Sequence, residues 1–251
     1  MLDKRIGYEL IKLNEVDSTN SFAARLLADE QIPEGTAILS QYQNAGKGQR
    51  SSAWESDYGK NLLVSFILYP DFLRAEQHFE LNQIISLSVK DCIQSFTKSE
   101  VKIKWPNDII VNERKISGIL IENAIRGNRI KSTIAGIGIN VNQTVFNKFE
   151  PIAGSLQILE QSEFSLTEVY YALCKYLNKW YTILQSGQTD KIISVYKNSL
   201  YRINEEHYFE TKGVKFSGII KGVTDEGKLI IEHTKEKVIQ YSYKEVKFIF
   251  D

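Results

Sequence analysis

Leu81, Ile84, Ile85, Val89, Cys92, Ile93 and Phe96 recur at intervals of three and four, which predicts an amphipathic helix whose apolar stripe covers a sheet. The same spacing returns over 166–184 and 191–200. Ser18-Thr19-Asn20 precede a shorter apolar-periodic stretch, 22–27, and read as N-capping residues that open a helix. Between the helices, 36–41 and 61–68 read as strands joined by a polar, glycine-bearing loop. Four further strands, 101–105, 109–111, 116–122 and 130–140, are separated by Pro106-Asn107-Asp108, Asn112-Glu113-Arg114 and Arg126-Gly127-Asn128. Those are turn sequences, so the run predicts an antiparallel meander. After Tyr201 the pattern changes to short strands with glycine turns at Gly213, Gly222 and Gly227. A boundary is expected near Arg202, between a domain of residues 1–201 and a small one of 202–251.

A chain of 251 residues has room for one sizeable core and an appendage. The last segment, about 50 residues, is too small to be stable unless it packs on the rest. Thirty-one basic residues balance thirty-one acidic ones, so no global field holds a polyanion by counterion release. The segment from Arg202 onward is balanced too, nine against nine. No nucleic-acid partner is expected, and any bound anion needs a local site. Cys92 and Cys174 lie far apart in apolar helical patterns without metal-ligand spacing, and read as reduced core thiols of a cytoplasmic protein. No apolar run follows the basic N-terminus, and none reaches the roughly 20 residues that cross a bilayer. A soluble, unprocessed protein without a membrane partner is expected.

Three strings carry candidate chemistry. In the loop Gln41-Tyr-Gln-Asn-Ala-Gly-Lys-Gly-Gln-Arg-Ser-Ser-Ala-Trp54, Gly46 and Gly48 allow close backbone approach while Lys47 and Arg50 add cationic donors. It can wrap a phosphate, or it can be a mobile surface turn. Trp54 can pack on a purine or simply in the core. In Lys102-Ile-Lys-Trp-Pro-Asn-Asp-Ile109, Pro106 forces the preceding backbone to extend, so the strand turns at Asn107-Asp108 and gathers polar side chains at its end. As turn formers alone, Asn107 and Asp108 explain the turn but not the whole string, nor Lys115-Ile-Ser-Gly118 downstream. In Ala135-Gly-Ile-Gly-Ile-Asn-Val-Asn142, strand alternation places Gly136, Gly138, Asn140 and Asn142 on one face. That bare floor fits a ligand lying on it or close packing of another element.

Taken in order, the Trp54-terminated loop, Lys104-Trp-Pro-Asn-Asp108 with Lys115 and Gly118, and Gly138-Ile-Asn-Val-Asn142 resemble the biotin protein ligase family across nearly the whole chain. The resemblance implies an α/β (α+β) catalytic domain with a mixed, largely antiparallel sheet, plus a small C-terminal SH3-like β-barrel. It implies activation of biotin by MgATP to biotinyl-5′-AMP, then transfer to a lysine of a biotin carboxyl carrier domain. The partner supplies the nucleophile, so no Ser/His/Asp or Cys/His arrangement is required. By the same resemblance Ser18, Thr19, Asn20, Gln41, Gly46 and Gly118 line the biotin site. Lys115 bridges the biotin carboxylate and the phosphate. Lys47, Gly48, Gln49, Arg50, Trp54, Lys104, Asn107, Asp108 and Asn140 serve the adenylate. Lys115, Lys47, Arg50 and Asp108 are the catalytic candidates, with Asp108 either orienting the incoming lysine or assisting Mg²⁺. No protein metal motif is present; Mg²⁺ is expected to travel with ATP.

Two departures from the family pattern stand out. The family loop reads Gly-Arg-Gly-Arg-Arg-Gly-Arg, whereas Gln49 replaces one important arginine here and Lys47 keeps charge without the bidentate fork. Ser18 comes almost at once, leaving no room for the helix-turn-helix of operon-repressing relatives, so repression is not expected. The rival readings are a lipoate protein ligase, which is not expected to carry Lys-Trp-Pro-Asn-Asp beside such a loop, and a non-catalytic biotin- or nucleotide-binding regulator. A monomer and a homodimer both fit.

Overall fold

The computed structural model describes residues 5–29, 31–49, 53–147, 151–233 and 237–250. The chain runs β1 (Leu10–Val16), α1 (Thr19–Asp29), β2 (Ala37–Gln43), β3 (Leu62–Leu68), α2 (His78–Gln94), β4 (Val101–Lys104), β5 (Asp108–Val111), β6 (Arg114–Arg126) and β7 (Arg129–Ile139). It continues with α3 (Leu156–Glu160), α4 (Leu166–Gln185), α5 (Thr189–Asn198), β8 (Glu206–Thr211), β9 (Val214–Val223), β10 (Leu229–His233), β11 (Val238–Tyr241) and β12 (Lys247–Phe248). The first seven strands form one sheet in the order β1-β2-β3-β7-β6-β5-β4. Only β1 and β2 pair in parallel, so the sheet is mixed and largely antiparallel. The meander β4 to β7 is present, and its two-residue turn at Asn112-Glu113 has both φ positive, the geometry that suits a tight hairpin.

β3, Leu-Leu-Val-Ser-Phe-Ile-Leu, is buried at all seven positions because both faces of the sheet are covered. On one face α2 and α4 seal the large core through Leu81, Ile84, Ile85, Leu173 and Leu177. On the other, α1 packs Ala23 against Ile38, Ile67 and Ile134. The buried free thiols Cys92 and Cys174 are held protonated by burial, which pushes Cys174 up to about 11. Among the described residues no helix is long and apolar enough to cross a membrane. Strand β1 and the short helix α3 carry no strong periodic signal and emerge only in the structure.

The C-terminal strands form a separate antiparallel sheet, β11-β10-β9-β8-β12, the SH3-like part of the fold. Lys212-Gly213 and Gly227 make turns with positive φ. Gly222 does not: it lies inside β9, opposite a register shift between Ile230 and Ile231, and is a bulge rather than a turn. The Trp105 indole N–H donates to the Gly227 carbonyl at 2.9 Å, joining the two sheets.

Candidate active site

A cavity of about 600 Å³ opens where α1, the β2–β3 loop, the ends of β5 to β7 and the last C-terminal strand converge. Its first end is built by the start of α1. The Ser18 carbonyl accepts the first helical bond, from the Phe22 N–H, so Ser18 is the cap and Thr19 the first helical residue. The Thr19 N–H, an orphan of that first turn, donates to Gln43 Oε1 at 2.7 Å. Thr19 and Asn20 turn their side chains onto the sheet, where Ser65 Oγ lies 2.7 Å from Thr19 Oγ1 and 2.6 Å from Asn20 Oδ1.

Gln43 occupies the place expected of Gln41. Both point to one face of β2, but two residues along a strand are about 7 Å, and only Gln43 reaches the N-terminus of α1. Gln41 is exposed, does not line the cavity, and approaches Asn14 instead. Asn20 lines the cavity, yet its amide is consumed by protein: Nδ2 donates to Glu122 at 2.7 Å and to the Leu120 carbonyl at 3.3 Å.

The β2–β3 loop folds back on itself, with Lys47 bridging Ala53 and the Trp54 N–H donating to the Gly46 carbonyl at 2.9 Å. Gly46 is thus the pinch of the loop rather than a lining residue, since a Cβ there would overlap the Trp54 backbone. Lys47, Gly48 and Gln49 line the cavity, whereas Arg50 lies outside the described residues. The Trp54 indole lies flat over Gly118 and Gly138, where side chains would overlap the ring, and Gly136 likewise makes room for Asn20. The glycine floor therefore carries two side chains of this protein.

At the second end Asp108 sits between two ammonium groups. Lys115 Nζ is 2.6 Å from Oδ1, and Lys104 Nζ is 3.3 Å from Oδ2. Burial by itself raises the Asp108 pKa, but Lys115 and Lys104 together hold it below the ordinary carboxylate value. The turn at Asn107, whose amide donates to the Ile119 carbonyl, places Asp108 opposite Gly118. Lys115 Nζ also stands 5.8 Å from the Trp54 ring centre, so loop and meander meet. Lys104 Nζ lies 5.2 Å from the Phe248 ring, and Lys244 and Lys247 complete the wall from the C-terminal segment. Sequence reasoning assigned nothing to that segment.

Asn140 does not line the cavity. β7 ends at Ile139, so strand alternation no longer aims the next side chain at the glycine face. Its amide donates to the Gly154 and Lys115 carbonyls, while Oδ1 is buried without a partner among the described residues. The Trp54 indole N–H is orphaned in the same way. Two unsatisfied polar groups beside a cavity that, among the described residues, is lined by five lysines and one carboxylate suit a polar, anionic ligand with hydrogen-bonding edges. The donor set does not suit a protein-held divalent cation: among the described residues Asp108 is the acid that lines the cavity, and both its oxygens face ammonium groups. Among the described residues no three His, Cys, Asp or Glu are grouped to hold a metal.

Comparison with known proteins agrees with this geometry. The model of the biotin/lipoate A/B protein ligase family matches residues 13–140. The bifunctional ligase/repressor BirA of Bacillus spizizenii is 30% identical over 230 residues, 90% of this chain and 70% of the relative. The biotin–[acetyl-CoA-carboxylase] ligase of Paracoccus denitrificans is 26% identical over 233 residues, covering 87% of this chain and 92% of that one. The solved structure of the biotin protein ligase from Aquifex aeolicus in complex with biotin and ATP superposes with a TM-score of 0.80 at 26% identity, covering 97% of this chain and all of that one. With the sheet, the C-terminal sheet and the cavity all accounted for, this chain belongs to the biotin/lipoate A/B protein ligase family.

Proposed function

We propose that this protein joins biotin to ATP, forming biotinyl-5′-AMP and releasing pyrophosphate, and then passes the biotinyl group to a lysine of a biotin carboxyl carrier domain. A carboxylate is a poor electrophile at neutral pH. In the first step its oxygen attacks the α-phosphorus, and the bond to the β,γ-diphosphate breaks. In the second, the acceptor amine attacks the acyl carbon, AMP leaves, and the amine loses its proton. The observation that carries this reading is the polarity of one cavity: short neutral polar groups at the α1 end, ammonium groups at the Asp108 end.

In this reading Ser18, Thr19 and Gln43 meet the ureido group. Lys115, held by Asp108, balances charge where carboxylate and phosphate meet. Lys47 lies against the adenylate, with Arg50 assigned to it by sequence alone, and Trp54 brings its orphaned indole N–H toward the purine. Asp108 keeps Lys104 and Lys115 apart and aimed; Mg²⁺ arrives on the ATP phosphates. Residues 1–201 form the catalytic unit and 202–251 the SH3-like unit, whose Lys244 and Lys247 close the cationic end.

Purified protein supplied with MgATP, labelled biotin or lipoic acid, and an acceptor domain tests the function. Biotin-dependent pyrophosphate release with labelling of the acceptor is the expected result. Release driven by lipoic acid alone assigns the other branch of the family, and binding without labelling makes the protein a regulator.

A further inference from the structure

We propose that Ser65 and Glu122, neither of which lines the cavity, are positioning residues that fix the Thr19 hydroxyl as a hydrogen-bond acceptor, so that the site selects a ligand presenting an N–H there. The proposal rests on the α1 end of the cavity receiving the ureido group.

Proton counting carries the argument. Asn20 Nδ2 donates to the Leu120 carbonyl and to the Glu122 carboxylate. Reversing that amide would set its oxygen against two acceptors, so Asn20 Oδ1 must face Ser65 Oγ, 2.6 Å away. Oδ1 is an acceptor only, and the Ser65 hydroxyl owns one hydrogen. Were that hydrogen given to Thr19 instead, two lone pairs would oppose each other across 2.6 Å at a fully buried site, since Ser65 and Asn20 are 0% and 3% exposed. Ser65 therefore donates to Asn20 and accepts from Thr19 Oγ1, 2.7 Å away.

The Thr19 hydrogen is then committed as well. Its other neighbour, Gln43 Oε1, is farther at 3.1 Å and already accepts the Thr19 N–H at 2.7 Å. Toward the cavity Thr19 Oγ1 presents lone pairs alone, and Gln43, whose oxygen is held by the backbone, presents its Nε2 hydrogens. One acceptor beside one donor matches an N–H next to a carbonyl, the edge of a cyclic urea. The chain Glu122, Asn20, Ser65, Thr19 runs from a surface carboxylate to the ligand, and each member polarises the next. Gly136 is what lets it exist, because a Cβ there would overlap Asn20. Ser65 is the lone polar residue of an otherwise apolar strand.

The test uses the full chain with biotin and its two cyclic carbamate analogues, in each of which one ureido N–H is replaced by oxygen. Wild type should reject one analogue, by about a hundredfold in kcat/KM, because oxygen then faces the Thr19 lone pairs. In Ser65→Ala the Thr19 hydrogen is released and can turn toward that oxygen. The discrimination should shrink about tenfold, and KM for biotin should rise about tenfold with KM for ATP unchanged. Glu122→Gln, a conservative change outside the cavity, should move biotin KM in the same direction by about threefold. It tests the same chain if Ser65→Ala does not fold. Wild type that never turns over biotin overturns the function itself. Active wild type with unchanged biotin KM and analogue ratio in both variants overturns the relay and leaves the function standing.

Discussion

In the proposed mechanism Lys115 supplies charge where a carboxylate and a triphosphate have to meet at van der Waals distance. Replacing Lys115 with alanine removes a contact that strengthens as charge moves onto the leaving group. The loss should be about 2–4 kcal/mol, roughly a hundredfold or more in biotin-dependent ATP–pyrophosphate exchange; exchange at near-normal rate in the folded variant would take Lys115 out of the mechanism. Its partner sets a pH dependence. The Asp108 carboxyl is held below its unfolded value of about 3.9, so its contribution to stability is complete above that range and disappears as pH falls through the depressed native pKa. Urea unfolding from pH 6 to pH 3 should show a shallower acid limb for Asp108→Asn than for wild type. At this scale the charged residues are legible in sequence because their types and spacing are unusual. Gln43 is a near miss, since Gln41 shares its face of β2 and only the position of the α1 N-terminus separates them. Ser65 carries one signal, a hydroxyl inside an apolar strand, whose partners come from α1 and are invisible in sequence order.

Strand β7 shows how an element makes room for a site. Its Ile137 and Ile139 belong to the large core while Gly136 and Gly138 face the cavity, the alternation that the sequence pattern implies. What occupies the glycine face is not legible: Trp54 arrives there from a loop more than eighty residues earlier. Gly138→Ala should push the indole off the floor and raise KM for ATP about tenfold or more, with the far-ultraviolet circular dichroism spectrum preserved. Unchanged ATP use would mean that the indole's seat is irrelevant to the purine. Helices α2 and α4 are legible because their stripes span several turns, whereas edge strand β1 alternates weakly, being half-covered and paired on one side alone.

Across the whole molecule the two sheets act together, because the cavity takes its lysine-rich end from both. Gly227 is the hinge of that union: its φ is +87°, its carbonyl accepts the Trp105 indole N–H, and Phe79 fills the space a Cβ would need. Gly227→Ala should destabilise the protein by about 1–3 kcal/mol in urea unfolding and lower the urea midpoint. An unaltered midpoint would show that the C-terminal sheet is not braced there. By itself the sequence determined the helices and most strands, the meander, the change of pattern near Arg202 and the residue types of an adenylating site, because periodicity, turn chemistry and charge are local properties. Tertiary structure alone decided that Gln43 rather than Gln41 lines the cavity, that Trp54 and Asn20 rest on the glycine floor, that Asn140 turns away from the cavity, that Ser65 bonds to Thr19 and Asn20 behind it, and that the C-terminal lysines form part of its wall. Those outcomes depend on which elements approach one another, and hydrogen-bond partners and steric space at a crossing are set by packing between residues far apart in the chain.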